Sequence, residues 1–287
     1  MNDFYPKSSL LSGVDEILKI HRVSPQAVTE LHSHEFHELV LIIKGKGIHF
    51  TKEERYPIRA GDMFLIWPGQ LHGYAETDGL ELINIIYLPE LLRLPDFDLK
   101  YQPGNYAFFE LEPRLRREHS FKSRLRLSES ELLEAEDIIW KIENELEEKK
   151  SAFHYMAAAL FMIFRGMIAR WYSGQKSPQS KKLLEFASLM NFINRSLEKN
   201  LSVDMLAAKA GMSVSTLSRT FRKAFGYSPM EYVIRKRIAR ACELLSATNM
   251  TISEISSKTG FSDSNFFSRQ FRKVKGISPR EFRKTGT

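Results

Sequence analysis

Two stretches of this chain, fifty residues apart, have nearly the same sequence. Residues 217–232 read LSRTFRKAFGYSPMEY, and residues 267–282 read FSRQFRKVKGISPREF. Upstream, the match continues with one residue of slip between MLAAKAGMS (205–213) and EISSKTGFS (254–262). Two copies are too few for a solenoid, in which stacked repeats stabilise one another. The duplication therefore predicts two related supersecondary units in the last hundred residues.

Each copy predicts a short helix, a tight turn and a second helix. Small residues such as Ala207 and Ser256 in the first helix allow the second helix to cross it closely. Gly211 and Gly260 follow, at the point where a helix ends and the backbone turns. This order is that of a helix-turn-helix, whose second helix lies in the major groove of DNA and contacts base edges.

The second helix of each copy carries a polar face that we predict to contact DNA. Its residues are Ser215, Thr216, Ser218, Arg219, Arg222 and Lys223 in the first copy and Ser264, Asn265, Ser268, Arg269, Arg272 and Lys273 in the second. Arg makes bidentate contacts to guanine and Asn to adenine, so Arg219 and Arg269 are the candidates for base contacts. Lys223 and Lys273 are placed to neutralise phosphates, and the arginine before each is a candidate for the same role. For any single arginine, a phosphate contact or simple solvation is the alternative.

The distribution of charge agrees with a nucleic-acid partner. Residues 181–287 carry 20 Lys and Arg against 8 Asp and Glu, whereas residues 1–180 carry 22 against 27. A basic block of this kind commonly contacts the phosphate backbone, although a solvated surface would also account for the charge alone. No stretch approaches the roughly 18 apolar residues of a membrane span. The start of the chain lacks the pattern of a signal peptide, and the single cysteine, Cys242, excludes an internal disulfide. We expect a cytoplasmic protein without a membrane partner.

A Ser-Pro-x-Glu string starts the next helix in each copy. Ser228 is predicted to cap this helix, Pro229 occupies the first turn, where its missing N–H costs nothing, and Glu231 closes a capping box. In the first copy the helix continues through Leu245 and links the two units. A stiff linking helix would hold the two DNA-contacting helices in successive major grooves, roughly 34 Å apart.

The string GFSDSNFFSRQFRKVKGISPREFR, residues 260–283, resembles the second unit of the AraC/XylS-type transcription regulators. The DNA-binding domain of that family has two helix-turn-helix units joined by a helix. The resemblance covers residues 183–285 closely and the whole chain more loosely. It implies a regulator that acts on double-stranded DNA and RNA polymerase, often in response to a small molecule. We place the DNA-binding domain at residues 183–287.

Residues from about 20 to 110 predict β structure, because short apolar runs are separated by turn residues. Within them, LHSHEFHELVLIIKG and GDMFLIWPGQLHGY resemble the paired motifs of cupin barrels. The resemblance assigns the metal-ligand positions of metal-binding cupins to His32, His34, Glu38 and His72. Alternate residues of a strand face one side, so His32 and His34 would point together. We place a cupin-like, effector-binding domain at residues 1–127.

Three interpretations of this histidine cluster remain open. Three imidazoles and a carboxylate suit Zn, Fe, Mn or Ni; polar walls suit a sugar-like effector; hydrogen-bonded structural roles need no ligand. The AraC/XylS sensor domains resemble cupins yet often bind a ligand without a metal, and the sugar-responsive members, rhamnose regulators among them, are similar to this chain. His37 is predicted to face outwards. The predicted effector-binding residues are His32, His34, Glu38, Trp67, His72 and Tyr74.

Residues 128–172 predict a helical hairpin. Ser128 and Glu131 have the spacing of a capping box, and apolar residues then recur at three- and four-residue steps. The second part, AFHYMAAALFMIFRGMIARWY, is apolar around the helix and is predicted to be buried. The hairpin either packs on the β domain or forms the interface of a homodimer. Residues 173–182, which are polar and contain proline, are predicted to be a linker.

The sequence therefore predicts a two-domain α+β protein, with an N-terminal cupin-like barrel and a C-terminal all-α domain. Its predicted function is sequence-specific regulation of transcription, controlled by a sugar or sugar-derived effector. The alternative is a metal-dependent cupin enzyme fused to a DNA-binding domain, but no P-loop, dinucleotide-binding glycine pattern or nucleophile elbow accompanies the cluster. A constitutive architectural DNA binder is disfavoured by the size of the N-terminal domain.

Overall fold

The computed structural model describes residues 3–5, 17–52, 54–92, 94–117 and 125–285. The chain divides into two compact units, Met1–Ala187 and Ser188–Thr287. Within the described residues, none of the helices is both long enough and apolar enough to cross a bilayer. The strands of the first unit are β1 (Asp3–Tyr5), β2 (Leu18–Val23), β3 (Thr29–His34), β4 (His37–Phe50), β5 (Arg55–Arg59), β6 (Asp62–Ile66), β7 (His72–Tyr87) and β8 (Leu125–Arg126).

The two long strands, β4 and β7, run through both halves of this sheet. The first half of β4 and the last half of β7 pair with each other, with β6 beyond β4 and β2 beyond β7. Their other halves also pair, with β5 beyond β4 and β3 beyond β7. Irregularities in the β4–β7 register let the sheet bend around its own core. That core consists of Val40, Ile42, Ile58, Phe64, Ile66, Tyr74, Leu80 and Leu82. The predicted cupin-like β domain is confirmed.

The prediction of β structure up to residue 110 is wrong beyond Tyr87. Residues 89–117 form short helical segments: α1 (Pro89–Leu92), a 3₁₀ turn (Leu99–Tyr101), α2 (Pro103–Tyr106), a π-helical segment (Ala107–Leu111) and α3 (Glu112–Arg117). The physical reason is visible in the prolines, because Pro89 and Pro103 each occupy the first position of a helix, where the fixed φ of proline favours helix formation. Residues 103–117 are helical without a break, but the π-helical segment in their middle interrupts the regular helical spacing of side chains.

The helical hairpin consists of α4 (Glu129–Glu148) and α5 (Phe153–Ser173). The capping box of Ser128 and Glu131 forms as predicted, with both hydrogen bonds present. The hairpin packs on the sheet: the rings of Tyr87 and Phe161 are 5.0 Å apart. However, α5 is not buried all round, because Ile163 is 55% exposed. An apolar residue in this helix therefore does not by itself indicate burial.

The second unit begins within the helix α6 (Pro178–Arg195). Of the segment predicted as a linker, residues 174–177 lie between α5 and α6, and residues 178–182 form the first turns of α6. The helices that follow are α7 (Val203–Lys209), α8 (Val214–Phe225), α9 (Pro229–Ala247), α10 (Ile252–Lys258), α11 (Ser264–Lys275) and α12 (Pro279–Thr285). This is the predicted all-α fold: α7 with α8 and α10 with α11 form the two helix-turn-helix units, and α9 joins them.

The one-residue slip between the two copies lies in the turn of the helix-turn-helix. Ser213 caps α8 in the first unit, whereas in the second unit the cap is Asp263, one residue beyond the serine aligned with Ser213. The helices on either side have equal lengths in the two copies. Gly211 and Gly260 both have positive φ, +61° and +85°, as the turn requires.

Arg237 of α9 fixes the linking helix to the segment that precedes α7 and to the second helix-turn-helix, a role that the sequence did not suggest. The residue is 9% exposed, and its guanidinium donates to the carbonyl oxygens of Leu197 at 2.9 Å and Lys199 at 2.7 Å. The same group lies 5.6 Å from the centre of the Phe261 ring. Burial lowers the pKa of the Arg237 side chain, and the two carbonyls stabilise its charge. Arg237 therefore links α9 to the segment between α6 and α7 and to the turn of the second helix-turn-helix.

Gly260→Ala is expected to destabilise the C-terminal compact unit, residues 188–287, far more than Gly211→Ala does. Either alanine has an unfavourable positive φ, which costs about 1–2 kcal/mol. At Gly260 a Cβ would also lie 2.1 Å from the Leu197 carbonyl oxygen and 2.9 Å from Arg237, adding about 1–3 kcal/mol of overpacking. At Gly211 nothing lies within 4 Å. Hydrogen exchange of peptides from α9 to α11 measures the difference, and equal protection in the two variants would contradict the close approach.

Candidate functional site

The arginines and lysines predicted to contact DNA are all exposed on α8 and α11. Arg219, Arg222 and Lys223 lie on the exposed face of α8, while Leu217, Phe221 and Ala224 are buried on its other side. The second copy repeats the arrangement: Asn265, Arg269, Arg272 and Lys273 are exposed, and Phe267 and Phe271 are buried. Each helix is thus held in place by its buried apolar side and presents a basic face to solvent. That is the geometry a helix needs to enter a major groove.

The hydroxyl groups on the same helices are used locally. Ser213 donates to Thr216 Oγ1 at 2.9 Å while capping α8. Ser268 donates to the carbonyl oxygen of Ser264 at 2.9 Å. Ser215 lies 3.0 Å from Ser213 between hydroxyl oxygens, and Ser218 is half-buried. Of the predicted DNA-contacting residues, the exposed charged side chains and Asn265 are therefore the ones best placed to extend towards DNA.

The predicted capping box after each unit forms fully only in the second. Ser278 N donates to Glu281 Oε2 at 2.7 Å, and Glu281 N donates to Ser278 Oγ at 3.2 Å. In the first copy Ser228 accepts from Glu231 N, but the Glu231 carboxylate accepts from Arg235 at 3.3 Å. The linking helix thus exchanges one cap bond for an i,i+4 ion pair.

Inside the barrel, the structure brings His34, Glu38 and His72 together. All three are buried, and one ligand atom of each lies within 4.8 Å of the others. Glu38 Oε2 is 3.1 Å from His34 Nε2 and 3.4 Å from His72 Nε2. The strands explain this convergence: His34 ends β3, Glu38 lies near the start of β4, and His72 begins β7, which pairs with both.

The other nitrogen of each ring shows how these histidines are protonated. His34 Nδ1 is 2.8 Å from the Phe36 carbonyl oxygen, and His72 Nδ1 is 3.1 Å from that of Gln70. A carbonyl oxygen only accepts, so each Nδ1 carries a proton. In a neutral ring Nε2 then carries a lone pair. The lone pairs of His34 Nε2 and His72 Nε2 would both face the Glu38 carboxylate. The arrangement therefore calls for positive charge at this point, from a proton on an imidazole or from a metal ion.

Glu38 is held in its charged form. Burial raises the pKa of its carboxyl, but the hydrogen bonds from His34 and His72 outweigh burial and bring the pKa far below its ordinary value. His32 lies beside the cluster, with its ring 4.1 Å from that of His72, and its Nδ1 is 3.0 Å from the Glu30 carbonyl oxygen. It is more exposed than the others. The donor set of two buried imidazoles and a carboxylate, with His32 adjacent, fits a divalent transition metal.

Further polar side chains in the barrel interior surround this cluster. The His49 ring is 5.9 Å from that of His72, a neighbour that sequence reasoning missed because His49 lies four residues beyond the end of the motif at Gly45. The predicted Tyr74 is also inside, 6.5 Å from His72 and edge-on to it. Burial, and then the charge of Glu38, raise the pKa of the Tyr74 phenol.

Trp67 is not part of this cluster. Its indole Nε1 donates to the Phe109 carbonyl oxygen at 3.2 Å, and the Arg114 guanidinium lies 4.8 Å from its ring centre. Its ring is 6.4 Å from that of His37, which faces away from the barrel interior as predicted. The predicted effector-binding residues thus divide between the interior and the outer face of the sheet.

Comparisons with known proteins agree with both units. Residues 17–139 match the family described as AraC-like ligand binding domain, and residues 206–285 match the family described as helix-turn-helix domain. The chain is 31% identical over 262 residues to the HTH-type transcriptional activator RhaR of Cronobacter sakazakii, across 90% of this chain and 88% of that protein. It is 29% identical over 266 residues to RhaR of Mannheimia succiniciproducens, across 93% and 91%.

Among solved structures, the C-terminal domain of the two-component response regulator yesN of Fusobacterium nucleatum is 32% identical to this chain. The match covers 33% of this chain and 93% of the chain of that structure, with a TM-score of 0.32.

Proposed function

The chain belongs to the AraC/XylS family of transcription regulators, and we propose that it activates transcription when its N-terminal unit binds a sugar or sugar-derived effector. The observation that carries the proposal is the pair of exposed basic faces on α8 and α11, in two helix-turn-helix units joined by α9. The regulators that it resembles over about 90% of both chains are named as transcriptional activators. We place it in the cytoplasm, with the DNA that it binds and with RNA polymerase as a partner.

Within the DNA complex, we assign distinct roles to the basic residues. Arg219 and Arg269 are central on the exposed faces and would contact bases. Lys223 and Lys273 lie one turn further along, near the helix ends, and would contact phosphates. Two such helices on one rigid unit would read two sites in successive major grooves, which makes the operator a repeated sequence.

Selection of genomic fragments by the purified full chain tests this function. At about 150 mM salt, non-specific binding to phosphates is weak. We expect enrichment of one motif with two segments separated by about one helical turn. Fragments that share no motif would show that the basic unit binds DNA without sequence preference, and the assignment of α8 and α11 would then be wrong.

We propose that the hairpin of α4 and α5 also forms the interface of a homodimer. Leu133 is 69% exposed and Trp140 is 54% exposed; the two are seven residues apart, on one face of α4. Further exposed apolar residues of the hairpin are Tyr155, Met156 and Ile163. Monomeric proteins rarely expose apolar residues in such numbers on one element. A second copy presents the same surface, so a two-fold interface would be self-complementary.

The double variant Leu133→Glu/Trp140→Glu is expected to be monomeric and to bind the operator at least about tenfold more weakly, because bivalent binding is lost. Sedimentation velocity and operator titration measure the two effects. Lys141→Glu is the matched control, since it changes the charge by the same amount on another exposed face of α4. If the double variant and the wild type sediment alike, the hairpin is not the dimer interface.

We propose no catalytic role for the cluster in the barrel. If a divalent metal binds, His34, Glu38 and His72 would hold it, and it would supply the positive charge that these donors face. The relatives that match this chain over about 90% of both lengths are named as transcriptional activators. Metal analysis of the purified protein, followed by turnover assays with candidate substrates, tests the alternative of a cupin enzyme.

A further inference from the structure

Phe266 is an exposed aromatic residue on α11, the DNA-contacting helix of the second helix-turn-helix. It is 38% exposed, whereas Phe267 and Phe271, the other phenylalanines of this helix, are fully buried. The buried pair accounts for the packing of α11 on its core. Scattered apolar residues are common on protein surfaces and need no function by themselves. The place of Phe266 on the helix therefore decides what it can contact.

The ring of Phe266 lies on the basic face of α11. Arg269 follows it by three residues and Lys273 by seven, and these spacings place side chains on one side of a helix. Both basic residues are exposed. The Arg269 guanidinium lies 6.0 Å from the centre of the Phe266 ring. The ring is therefore the neighbour of the arginine that we assign to a base contact.

Val214 shows that an exposed apolar residue can have another explanation. It is also 38% exposed, at the first position of α8. Leu217 and Phe221 follow it by three and seven residues, and both are fully buried. Val214 thus continues the apolar side of α8, and it is exposed because the helix begins there. Phe266 has the same exposure on the opposite kind of face, so this explanation does not apply to it.

Contacts within the turn hold the first residues of α11 in place. The Asp263 carboxylate accepts hydrogen bonds from Asn265 N at 3.0 Å and from Phe266 N at 2.9 Å. The ring of Phe261, in the turn, lies 6.1 Å from that of Phe266. One side of the Phe266 ring thus rests on the turn, and the rest of it is open to solvent. The first residues of such a helix are the ones that reach base edges in the major groove.

An apolar ring in the major groove has one matching partner among the base edges. Thymine presents a C5 methyl group there, whereas the other groups at the base edges are hydrogen-bond donors and acceptors, for which a phenyl ring has no partner. The guanidinium beside the ring contacts guanine in the assignment above. Ring and guanidinium are 6.0 Å apart and stacked base pairs about 3.4 Å, so the thymine would lie within about two base pairs of that guanine.

We propose that Phe266 is a specificity-determining residue, whose ring contacts the C5 methyl group of a thymine in the DNA segment bound by α11. The proposal rests on the function proposed above, that of a sequence-specific regulator. The equivalent position in α8 is Thr216, whose hydroxyl accepts a hydrogen bond from Ser213 Oγ at 2.9 Å. A threonine offers one methyl group where phenylalanine offers a ring. The two operator segments are therefore related in sequence but differ at this base pair.

Replacement of thymine by uracil in the operator tests the contact, because it removes only the C5 methyl group. The full chain first selects its operator, and the segment bound by α11 is the one at which Arg269→Ala relaxes specificity. Each thymine of that segment is then replaced singly by deoxyuridine, and fluorescence anisotropy measures the affinity. We expect one of these replacements to weaken binding about fourfold, which is the effect of one methyl group in an apolar contact.

Variants of Phe266 connect this loss to the ring. Phe266→Ala should bind the thymine operator at least about fourfold more weakly than the wild type does, and should bind the thymine and uracil operators alike within about twofold. Phe266→Leu keeps an apolar side chain and should keep a preference for thymine of at least about twofold. Val214→Ala is the matched control, since it truncates an equally exposed apolar residue and should keep the full preference for thymine.

A merely structural role of Phe266 would give another pattern. Phe266→Ala would then weaken binding to the thymine and uracil operators by the same factor, and the preference for thymine would remain. That result, or a wild-type chain that tolerates uracil throughout the segment, overturns the thymine contact while sequence-specific binding stands. A chain that selects no shared motif refutes the proposed function, and this inference with it.

Discussion

Replacing Arg219 and Arg269 together with alanine is expected to weaken operator binding by about 2–6 kcal/mol. Each arginine is exposed at the centre of one DNA-contacting helix, and loss of a bidentate base contact costs about 1–3 kcal/mol. The two residues lie on separate helices and would contact separate base pairs, so their effects should add. Titration of a labelled operator by fluorescence anisotropy measures the loss, and each single variant should relax specificity at one segment of the operator only.

The lysines provide the comparison for these arginines. Lys223→Ala and Lys273→Ala are expected to weaken binding to all sequences alike and to reduce the salt dependence by about one phosphate contact each. Arg240→Ala is a control for the loss of charge, since Arg240 is exposed on α9 and pairs with Glu243 at 2.5 Å. If the arginine variants change only the salt dependence and keep the base preference, Arg219 and Arg269 contact phosphates.

The second unit could be predicted from its sequence because its structure is local. A capping residue, a glycine and a Ser-Pro-x-Glu string mark each helix end within a few residues of chain. The duplication strengthened the prediction of the DNA-contacting faces, since a polar face that occurs twice at the same spacing is not expected by chance. The slip of one residue was also visible, although only the structure shows that Asp263 replaces a serine as the cap of α11.

The tertiary contacts of Arg237 in α9 could not be predicted in the same way. Arg237 looks like one more basic residue of the solvated face of α9, among Arg235, Lys236 and Arg240. Its partners are backbone carbonyls about forty residues away, at Leu197 and Lys199. Backbone acceptors have no residue identity, so no pattern of side chains indicates them.

In the first unit, too, local features could be predicted from the sequence and contacts between distant parts of the chain could not. The resemblance to cupin motifs was sufficient to predict that His34, Glu38 and His72 meet, whereas the fourth predicted position, His32, lies beside the cluster. The cavity on the outer face of the sheet, lined by His37, Trp67 and Arg165, was not predictable, since these residues come from three distant parts of the chain. Part of its wall comes from the helical run of residues 103–117, whose π-helical middle interrupts the regular helical spacing of side chains.

Glu38→Ala is expected to lower the free energy of unfolding of the first unit by about 3–5 kcal/mol. Removing one partner of a buried charged pair leaves the other without compensation. Here two imidazoles would lose the carboxylate that faces their Nε2 atoms, at 3.1 Å for His34 and 3.4 Å for His72. Urea unfolding followed by tryptophan fluorescence measures the change in this unit alone, because all three tryptophans lie within residues 1–187.

Two further variants distinguish the charge of Glu38 from its hydrogen bonds. Glu38→Gln keeps the shape and can donate its amide hydrogens to the histidine lone pairs, so we expect it to lose less than half as much stability as Glu38→Ala. Glu35→Ala removes a carboxylate from an exposed neighbouring position and should change stability by about 0.5 kcal/mol or less. Repeating the series with Zn²⁺ and with a chelator identifies the source of positive charge: a metal site raises the wild-type midpoint with Zn²⁺, and Glu38→Gln reduces that response. Equal unfolding of Glu38→Ala and the wild type under both conditions would mean that the carboxylate does not hold the cluster together.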